Sequence, residues 1–384
     1  MTQGITVTVL RRIALALSLV CCHNAAASVF DQMIDPQDGQ LDMSQWILNN
    51  AHGFMPVPFL ITDPAVGTGG GVALIFFHET QEQKDYRLAN PTKQGHIPPS
   101  VSGVVAGGTD NGSRLAGVFH AGNWQQDSIR YIGALFSTSF NLKYYPEQRP
   151  EPNKFNIEGL FFYQDIDLRI KDSGFFVGAN YTFLDTDTQF DLSDNLPGID
   201  PFSLDSQDAS LGLKLSYDSL NNKFSPSQGI KAKLETKWHH PNLGGDFDYR
   251  EINALIFHYQ KLNHDWGLAL RGDAKAVSDD APYYAKPFIN LRGIPAMRYQ
   301  AEQTALAEFE LSYALAPRWA LLGFAGSGKA IAESSNFADS KWRSAAGMGF
   351  RYLIANKLGL LTGLDLAKGP EEWALYIQFG TAWR

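Results

Sequence analysis

An all-β fold, a transmembrane antiparallel β-barrel of sixteen strands with a short N-terminal helix, is what the 384-residue sequence predicts. Three observations predict it. Beyond residue 27 no apolar run reaches the roughly eighteen residues that a membrane-crossing helix needs. The chain instead breaks into segments of roughly ten to fifteen residues in which apolar and polar side chains alternate, long enough, when tilted, to cross a hydrocarbon core, whereas globular strands average about five or six. Many of these segments carry Trp, Tyr or Phe near their ends, as the two bilayer interfaces require.

Taken in order, Arg11 and Arg12 precede the apolar run Ile13 to Cys22, and Ala25, Ala26 and Ala27 offer small residues for cleavage, so residues 1–27 read as a signal peptide. Cys21 and Cys22 both fall inside it, and Val20 is a poor match to the small residue of a lipoprotein signal. The mature chain is therefore held by burial, by sheet or by a membrane, and not by disulfides. A net charge of -8 argues against nucleic acid as a partner.

Residues 28–63 read as an N-terminal periplasmic segment. Asp42 or Ser44 caps a helix over Met43 to Asn50, with Trp46 and Ile47 on its apolar side, placed to cap or plug the barrel mouth. Asp35, Asp38 and Asp42 lack the full spacing and the closing Glu of a calcium loop, so turn and cap chemistry is expected there and no metal or cofactor is assigned.

The barrel is expected over residues 64–384. Its first strand holds Gly67, Gly69, Gly70 and Gly71, whose missing side chains weaken packing and leave pairing with the last strand poorly specified; a seam and a tightly bent barrel corner both fit. Ala209, Leu211, Leu213, Leu215 and Tyr217 alternate with Asp208, Ser210, Gly212, Lys214, Ser216 and Asp218. Ile230, Ala232, Leu234, Thr236 and Trp238 repeat the pattern against Lys231, Lys233, Glu235, Lys237 and His239. Phe162, Ile166, Leu168 and Ile170 oppose Asp165, Asp167 and Arg169. The final strand sets Trp373, Leu375, Ile377, Phe379 and Trp383 on one face. A soluble sandwich also alternates, and strand length and aromatic ends favour the barrel. Apolar faces then meet lipid, polar faces meet enclosed water, and closure satisfies the backbone. Short connections (109–112, 171–174, 315–318) alternate with long ones (79–99, 186–206, 278–302), as periplasmic turns do with external loops. About fifteen strands are visible, and the sixteenth is expected within 140–158 or 184–206.

At Tyr217, Asp218, Ser219, Asn222, Pro226 and Gly229 the sequence resembles the periplasmic hairpin of the BamA/TamA family, the bacterial surface antigen superfamily. Leu291, Arg292 and Gly293 resemble that family's signature on a long external loop that folds back into the barrel, and the last strand resembles its C-terminal strand. The resemblance implies a sixteen-stranded outer-membrane barrel of a Gram-negative bacterium, and a seam between first and last strands where opening occurs. Partners implied are outer-membrane lipid, lipopolysaccharide and the barrel-assembly machinery, with a homodimer left open. Residues 28–63 leave no room for a POTRA module, so a short barrel-only member is expected. "GFAGSGKA" departs from the family by lacking an acid near Gly326.

By resemblance, Arg292 pairs inside the lumen with wall carboxylates, for which Glu308, Glu310 and Asp365 are candidates. Glu308 and Glu310 share the parity of Thr304 and Ser312, opposite Ala305, Ala307, Phe309, Leu311 and Tyr313, and should point inward. "GFAGSGKA" satisfies Gly-x4-Gly-Lys of a phosphate loop but has Ala330 where Ser or Thr belongs, and no helix follows. His239, His240 and His258 with Ser216 and Ser219 form no nucleophile elbow or compact triad. A non-enzymatic barrel that assists insertion or passage of protein or lipid is the expectation, with a passive or gated pore as its rival and a lipid-modifying enzyme third.

Overall fold

The computed structural model describes residues 33–50, 53–78, 100–144, 153–191, 202–278 and 280–380; residues 1–27, expected to be a signal peptide, the 79–99 connection and Trp383 lie outside them. Helix α1 (Ser44–Asn50) precedes sixteen strands. These are β1 (Gly53–Asp63), β2 (Gly67–His78), β3 (Ser100–Thr109), β4 (Arg114–Trp124), β5 (Ile129–Tyr144), β6 (Asn153–Arg169), β7 (Phe175–Asp191), β8 (Phe202–Asp218), β9 (Gly229–His239), β10 (Tyr249–Lys261), β11 (Trp266–Val277), β12 (Gln303–Ala316), β13 (Trp319–Ile331), β14 (Arg343–Ala355), β15 (Leu360–Lys368) and β16 (Trp373–Phe379). They form one antiparallel sheet in sequence order, so every connection is a hairpin or a longer link between neighbours.

Burial is inverted relative to a soluble protein. On β8, Leu213 is 52% exposed while its neighbour Lys214 is 9% exposed. Leu211, Leu215, Leu234, Phe309, Leu375 and Trp373 likewise stand on the outer face, and Asp165, Glu235, Glu308 and Asp365 are buried inside. A period of two puts alternate side chains on opposite faces, and only a lipid-facing exterior makes that arrangement favourable.

The sixteenth strand is not in either stretch expected to hide it. Residues 140–158 and 184–206 contain the long outer ends of β5 to β8, strands of sixteen and seventeen residues. The extra strand is β1, eleven residues ahead of the expected boundary at 64. Pro56 and Pro58 mask it, since proline within a run demotes a strand. Both share one parity, so their missing N–H groups point to the same side, and the full ladder with β2 leaves the edge away from β2 as the side where no donor is needed.

The seam glycines are also placed differently. Gly67, Gly69, Gly70 and Gly71 lie on β2, which is fully paired to β1 on one side and to β3 on the other. Gly71 makes room for the Phe59 ring: a Cβ there would sit 2.5 Å from Phe59 Cζ, and one at Gly107 would sit 3.1 Å from it. The sheet ends fall instead at β1 and β16. These touch, and the Ile377 N–H donates to Thr62 Oγ1 at 3.3 Å, but no ladder register joins them among the described residues.

In an antiparallel meander, connections after odd strands share one end and those after even strands the other. Connection length does not follow this parity here. The short 110–113 turn lies at the end that carries 278–302, hereafter the loop end, whereas β2 and β3 open their long connection at the same end as 170–174 and 317–318, hereafter the turn end.

Candidate functional site

The β11–β12 connection turns back into the barrel and is held by one guanidinium. Arg292 Nε and Nη2 donate to Glu308 Oε1 at 3.0 and 2.8 Å, and Nη1 donates to Asp365 Oδ2 at 2.8 Å. Nη1 also lies 2.9 Å from Glu310 Oε2. The guanidinium carbon stands 3.5 Å from the centre of the Phe324 ring. All three expected carboxylates are therefore brought together. Glu308 and Glu310 are two residues apart and share a face of β12, while Asp365 reaches the same point from β15.

Two arginines that the sequence reading missed complete the cluster. Arg351 of β14 grips Asp365 through two bonds of 2.5 and 3.0 Å. Arg271 of β11 lies 3.5 Å from Glu308, donates to Asp273 at 2.9 Å and to the Asn290 carbonyl at 3.0 Å. Three guanidinium groups thus face four carboxylates, and Asp365 is fully buried. Arg351 shares its parity with Ala345, Gly347 and Gly349, a run of small residues on that face, which was the signal available for finding it.

The flanking residues fit the loop to the wall. Leu291 is buried with Ile289, Ile294, Leu306 and Ala345. A Cβ at Gly326 would sit 2.7 Å from Leu291 Cδ2, so the position that lacks an acid is filled by the loop's own leucine. Gly293 has φ +94°, and its backbone meets Gly369 where neither has room for a Cβ. Its N–H donates to the Tyr376 hydroxyl of β16 at 2.9 Å, tying the loop to the last strand.

At the turn end, the β8–β9 connection reaches the opposite wall. Asp218 accepts from Arg130 at 2.8 Å and Lys223 at 2.6 Å, and Asp127 binds Arg130 and Arg169 alongside. Ser219 Oγ accepts the Ile230 N–H at 3.0 Å. Asn222 closes the turn by accepting from Phe224 and Ser225, and its amide donates to the Leu358 carbonyl at 3.2 Å. Ser225 Oγ accepts the Leu361 N–H at 3.1 Å. Pro226 lies in this connection and Gly229, φ +110°, ends it against Ser219. Tyr217 packs its ring on Phe175 at 4.8 Å. Strands β8 and β9 stand about half-way round the sheet from β15, so these bonds run across the mouth that α1 was expected to plug.

The N-terminal segment is docked beside that crossing. Asp35, Asp38 and Asp42 converge on Arg318 in the β12–β13 turn: Arg318 Nη2 donates to Asp35 at 2.5 Å, Nη1 to Asp42 at 2.8 Å and Nε to Asp38. The Tyr352 hydroxyl donates to the Leu41 carbonyl, and the Lys357 N–H to Ser44 Oγ at 2.9 Å. The residues read as turn and cap chemistry thus hold an arginine as well, while Asp42 still accepts the Ser44 N–H at 2.7 Å. The hydrogen bond from Arg318 holds the Asp38 carboxyl below its ordinary value. Burial pushes Asp42 up, but bonds from Ser44 and Arg318 outweigh it and leave that group low as well. A depressed carboxyl favours docking above its ordinary value of 3.8 and loses that contribution as pH falls through the lower docked value. Arg318→Ala is therefore expected to raise the rate of protease cleavage within 33–50 at neutral pH by about tenfold, the equivalent of about 1.4 kcal/mol. In the parent protein cleavage by an acid protease should accelerate only below about pH 4. Equal rates for parent and variant would show that Arg318 does not hold the segment.

The other sequence candidates separate. His239 binds Asp208 at 2.5 Å and its ring stacks on Tyr249 at 3.8 Å near the loop end, while Ser216 and Ser219 lie near or at the turn end. "GFAGSGKA" is extended within β13, with no helix after it.

Residues 118–286 match the Omp85 superfamily domain. No protein of curated function matches the sequence. Among solved structures the fold is similar to BamA from Haemophilus ducreyi lacking POTRA domains 1–3, with 13% identity, TM-score 0.55, and coverage of 92% of this chain and 81% of that one. It is also similar to CdiB from Acinetobacter baumannii (10% identity, TM-score 0.55, 85% of this chain and 59% of that) and CdiB from Escherichia coli (12%, 0.54, 84% and 61%). The chain spans about three fifths of either CdiB chain. Sixteen meandering strands and a loop held in the lumen by Arg292 thus frame a stretch, residues 118–286, that is similar to the Omp85 superfamily domain.

Proposed function

We propose that the protein works in the outer membrane of a Gram-negative bacterium as a non-enzymatic assembly or translocation barrel, assisting insertion or passage of protein or lipid at the β1–β16 seam. The observation that carries this reading is the absence of a ladder between the two terminal strands among the described residues. Fifteen neighbouring pairs are zipped by backbone bonds, so the seam is where the sheet opens at least cost. Short β16, of seven residues, and the two prolines of β1 keep it weak. The fold shared with BamA and CdiB supports the same class of role. On this orientation the turn end is periplasmic and the loop end external.

A gated pore is the second reading, favoured by the loop that fills the lumen around Arg292. Deleting the chromosomal gene separates the two. An assembly role predicts lower folded levels of other outer-membrane proteins, read by heat-modifiable mobility, whereas a pore predicts unchanged levels and altered solute uptake. Unchanged levels of every such protein would sink the assembly reading.

A further inference from the structure

Most of the outer wall is apolar, but on β2 to β6 a line of polar side chains crosses it. His78, Ser102, His120, Tyr131 and Gln164 share strand parity with Phe76, Val104, Val118, Leu135 and Ile166, all of which stand exposed on the outer face. Register makes them neighbours: Ser102 is opposite His120, His120 opposite Gly133, and Gly133 opposite Gln164. Ser102 Oγ is bracketed by two imidazoles, 2.8 Å from His78 Nε2 and 2.9 Å from His120 Nδ1. The Tyr131 hydroxyl lies over Gly133, where a Cβ would strike it, and donates to Gln164 Oε1. Trp124 stacks on both His120 and Tyr131, with centroids 6.0 and 5.6 Å apart.

The line starts at the turn end, where His78 closes β2 and Ser102 stands near the start of β3, but at β6 the membrane boundary does not account for it. On β6, Ile166, Leu168 and Ile170 continue the exposed apolar face beyond Gln164 toward the turn end, so the polar atoms extend into the apolar band. Because strands tilt, a row perpendicular to them climbs through the membrane. Polar groups at that depth are costly and mark function by default. Beside the line runs a groove of about 460 Å³ with Leu74, Phe76, Val104, Val118, Leu135 and Phe162 on its outward side. A second outer groove, of about 520 Å³ on β7 to β12, has Phe175, Leu215, Leu234 and Ile256 at outward parity and, of polar groups there, the Tyr217 hydroxyl alone.

We propose that the β2–β6 line and groove bind one glycerophospholipid of the surrounding bilayer, with an acyl chain in the groove and the phosphate at the His78–Ser102–His120 end. A serine hydroxyl has one proton, so between two imidazole nitrogens it donates to one and accepts from the other. The ring that accepts carries its proton on the far nitrogen. At least one imidazole N–H is therefore directed away from Ser102. A phosphodiester offers anionic oxygens for these donors, and charge-assisted bonds of this kind are the stronger sort, most of all where water is scarce. The proposal requires only that this wall meets lipid and is independent of what happens at the seam.

The test is lipid retention by the purified, folded barrel in a neutral detergent, read by native mass spectrometry after loading with dioleoylphosphatidylglycerol or with dioleoylglycerol. The expected result is one phosphatidylglycerol retained per barrel through detergent exchange and no comparable retention of the phosphate-free lipid. His78→Phe with His120→Phe, which removes the N–H donors, and separately Ser102→Ala, which releases the two rings that present them, should each cut that occupancy at least about tenfold. Leu234→Phe, which fills the second groove, should leave it unchanged. Heat-modifiable mobility reports which variants are folded, and Ser102→Ala, which removes a single oxygen, serves where the double variant does not fold. Equal retention of the two lipids would overturn the proposal. Parent-like occupancy per folded Ser102→Ala barrel would do so too, even with a lowered yield, because the line would then be structural.

Discussion

Arg292→Ala is expected to release the β11–β12 connection from the barrel wall and to open the lumen. The substitution leaves Glu308, Glu310, Asp365 and Asp273 with two guanidinium groups, Arg351 and Arg271, in place of three, and Asp365 is fully buried. Removing one member of a buried, hydrogen-bonded ion cluster costs about 3–5 kcal/mol, because the remaining charges have lost both water and partner. The loop loses in the same step its contact with the Phe324 ring. In planar bilayers the single-barrel conductance should rise several-fold, and the folded fraction judged by heat-modifiable mobility should drop. Arg292→Lys should behave nearly as badly: an ammonium cannot reproduce the fork that reaches Glu308 and Asp365 together. Should conductance and folded yield both match the parent, the lock has no mechanical role.

Closing the seam covalently is expected to abolish whatever passes through it. Thr62 and Ile377 meet across the sheet ends, where the Ile377 N–H reaches Thr62 Oγ1. Both natural cysteines, Cys21 and Cys22, fall in the stretch expected to be removed as a signal peptide, so Thr62→Cys with Ile377→Cys joined by a short bifunctional thiol reagent should give a linkage with little background. Cells carrying the linked barrel should show the folded outer-membrane protein levels of the deletion strain, and a cleavable linker should restore them on reduction. A barrel that supports parent levels while fully cross-linked would remove the seam from the mechanism. The same pair across β1 and β2, where the ladder is complete, should have no effect.

These two experiments draw on different amounts of sequence information. Arg292 and its three acids were legible because alternation decides which side chains of β12 face inward, and because the Leu291-Arg292-Gly293 motif resembles a known loop. The seam was not. Gly67 to Gly71 looked like a loose edge because glycine lacks side-chain packing, and nothing local shows that Phe59, eight residues and more before them, lays its ring into that space. Pro56 and Pro58 hid β1 for a related reason: proline counts against a strand unless one of its edges is unpaired, and only the assembled sheet shows which edge that is. Arg318 at the centre of three aspartates lies some 280 residues from them in sequence, beyond any spacing rule.

The sequence by itself determined the fold class and the face expected of each side chain, because a period of two is a local property of the backbone, and the motif resemblance pointed to Arg292 and its three acids but not to Arg351 or Arg271. Tertiary structure alone decided which strand forms the edge, which end carries each connection, that the β8–β9 turn spans the mouth, and that Ser102 stands between two imidazoles. Those facts depend on strand register and closure, which bring together residues separated by tens to hundreds of positions, and no local pattern encodes such a distance.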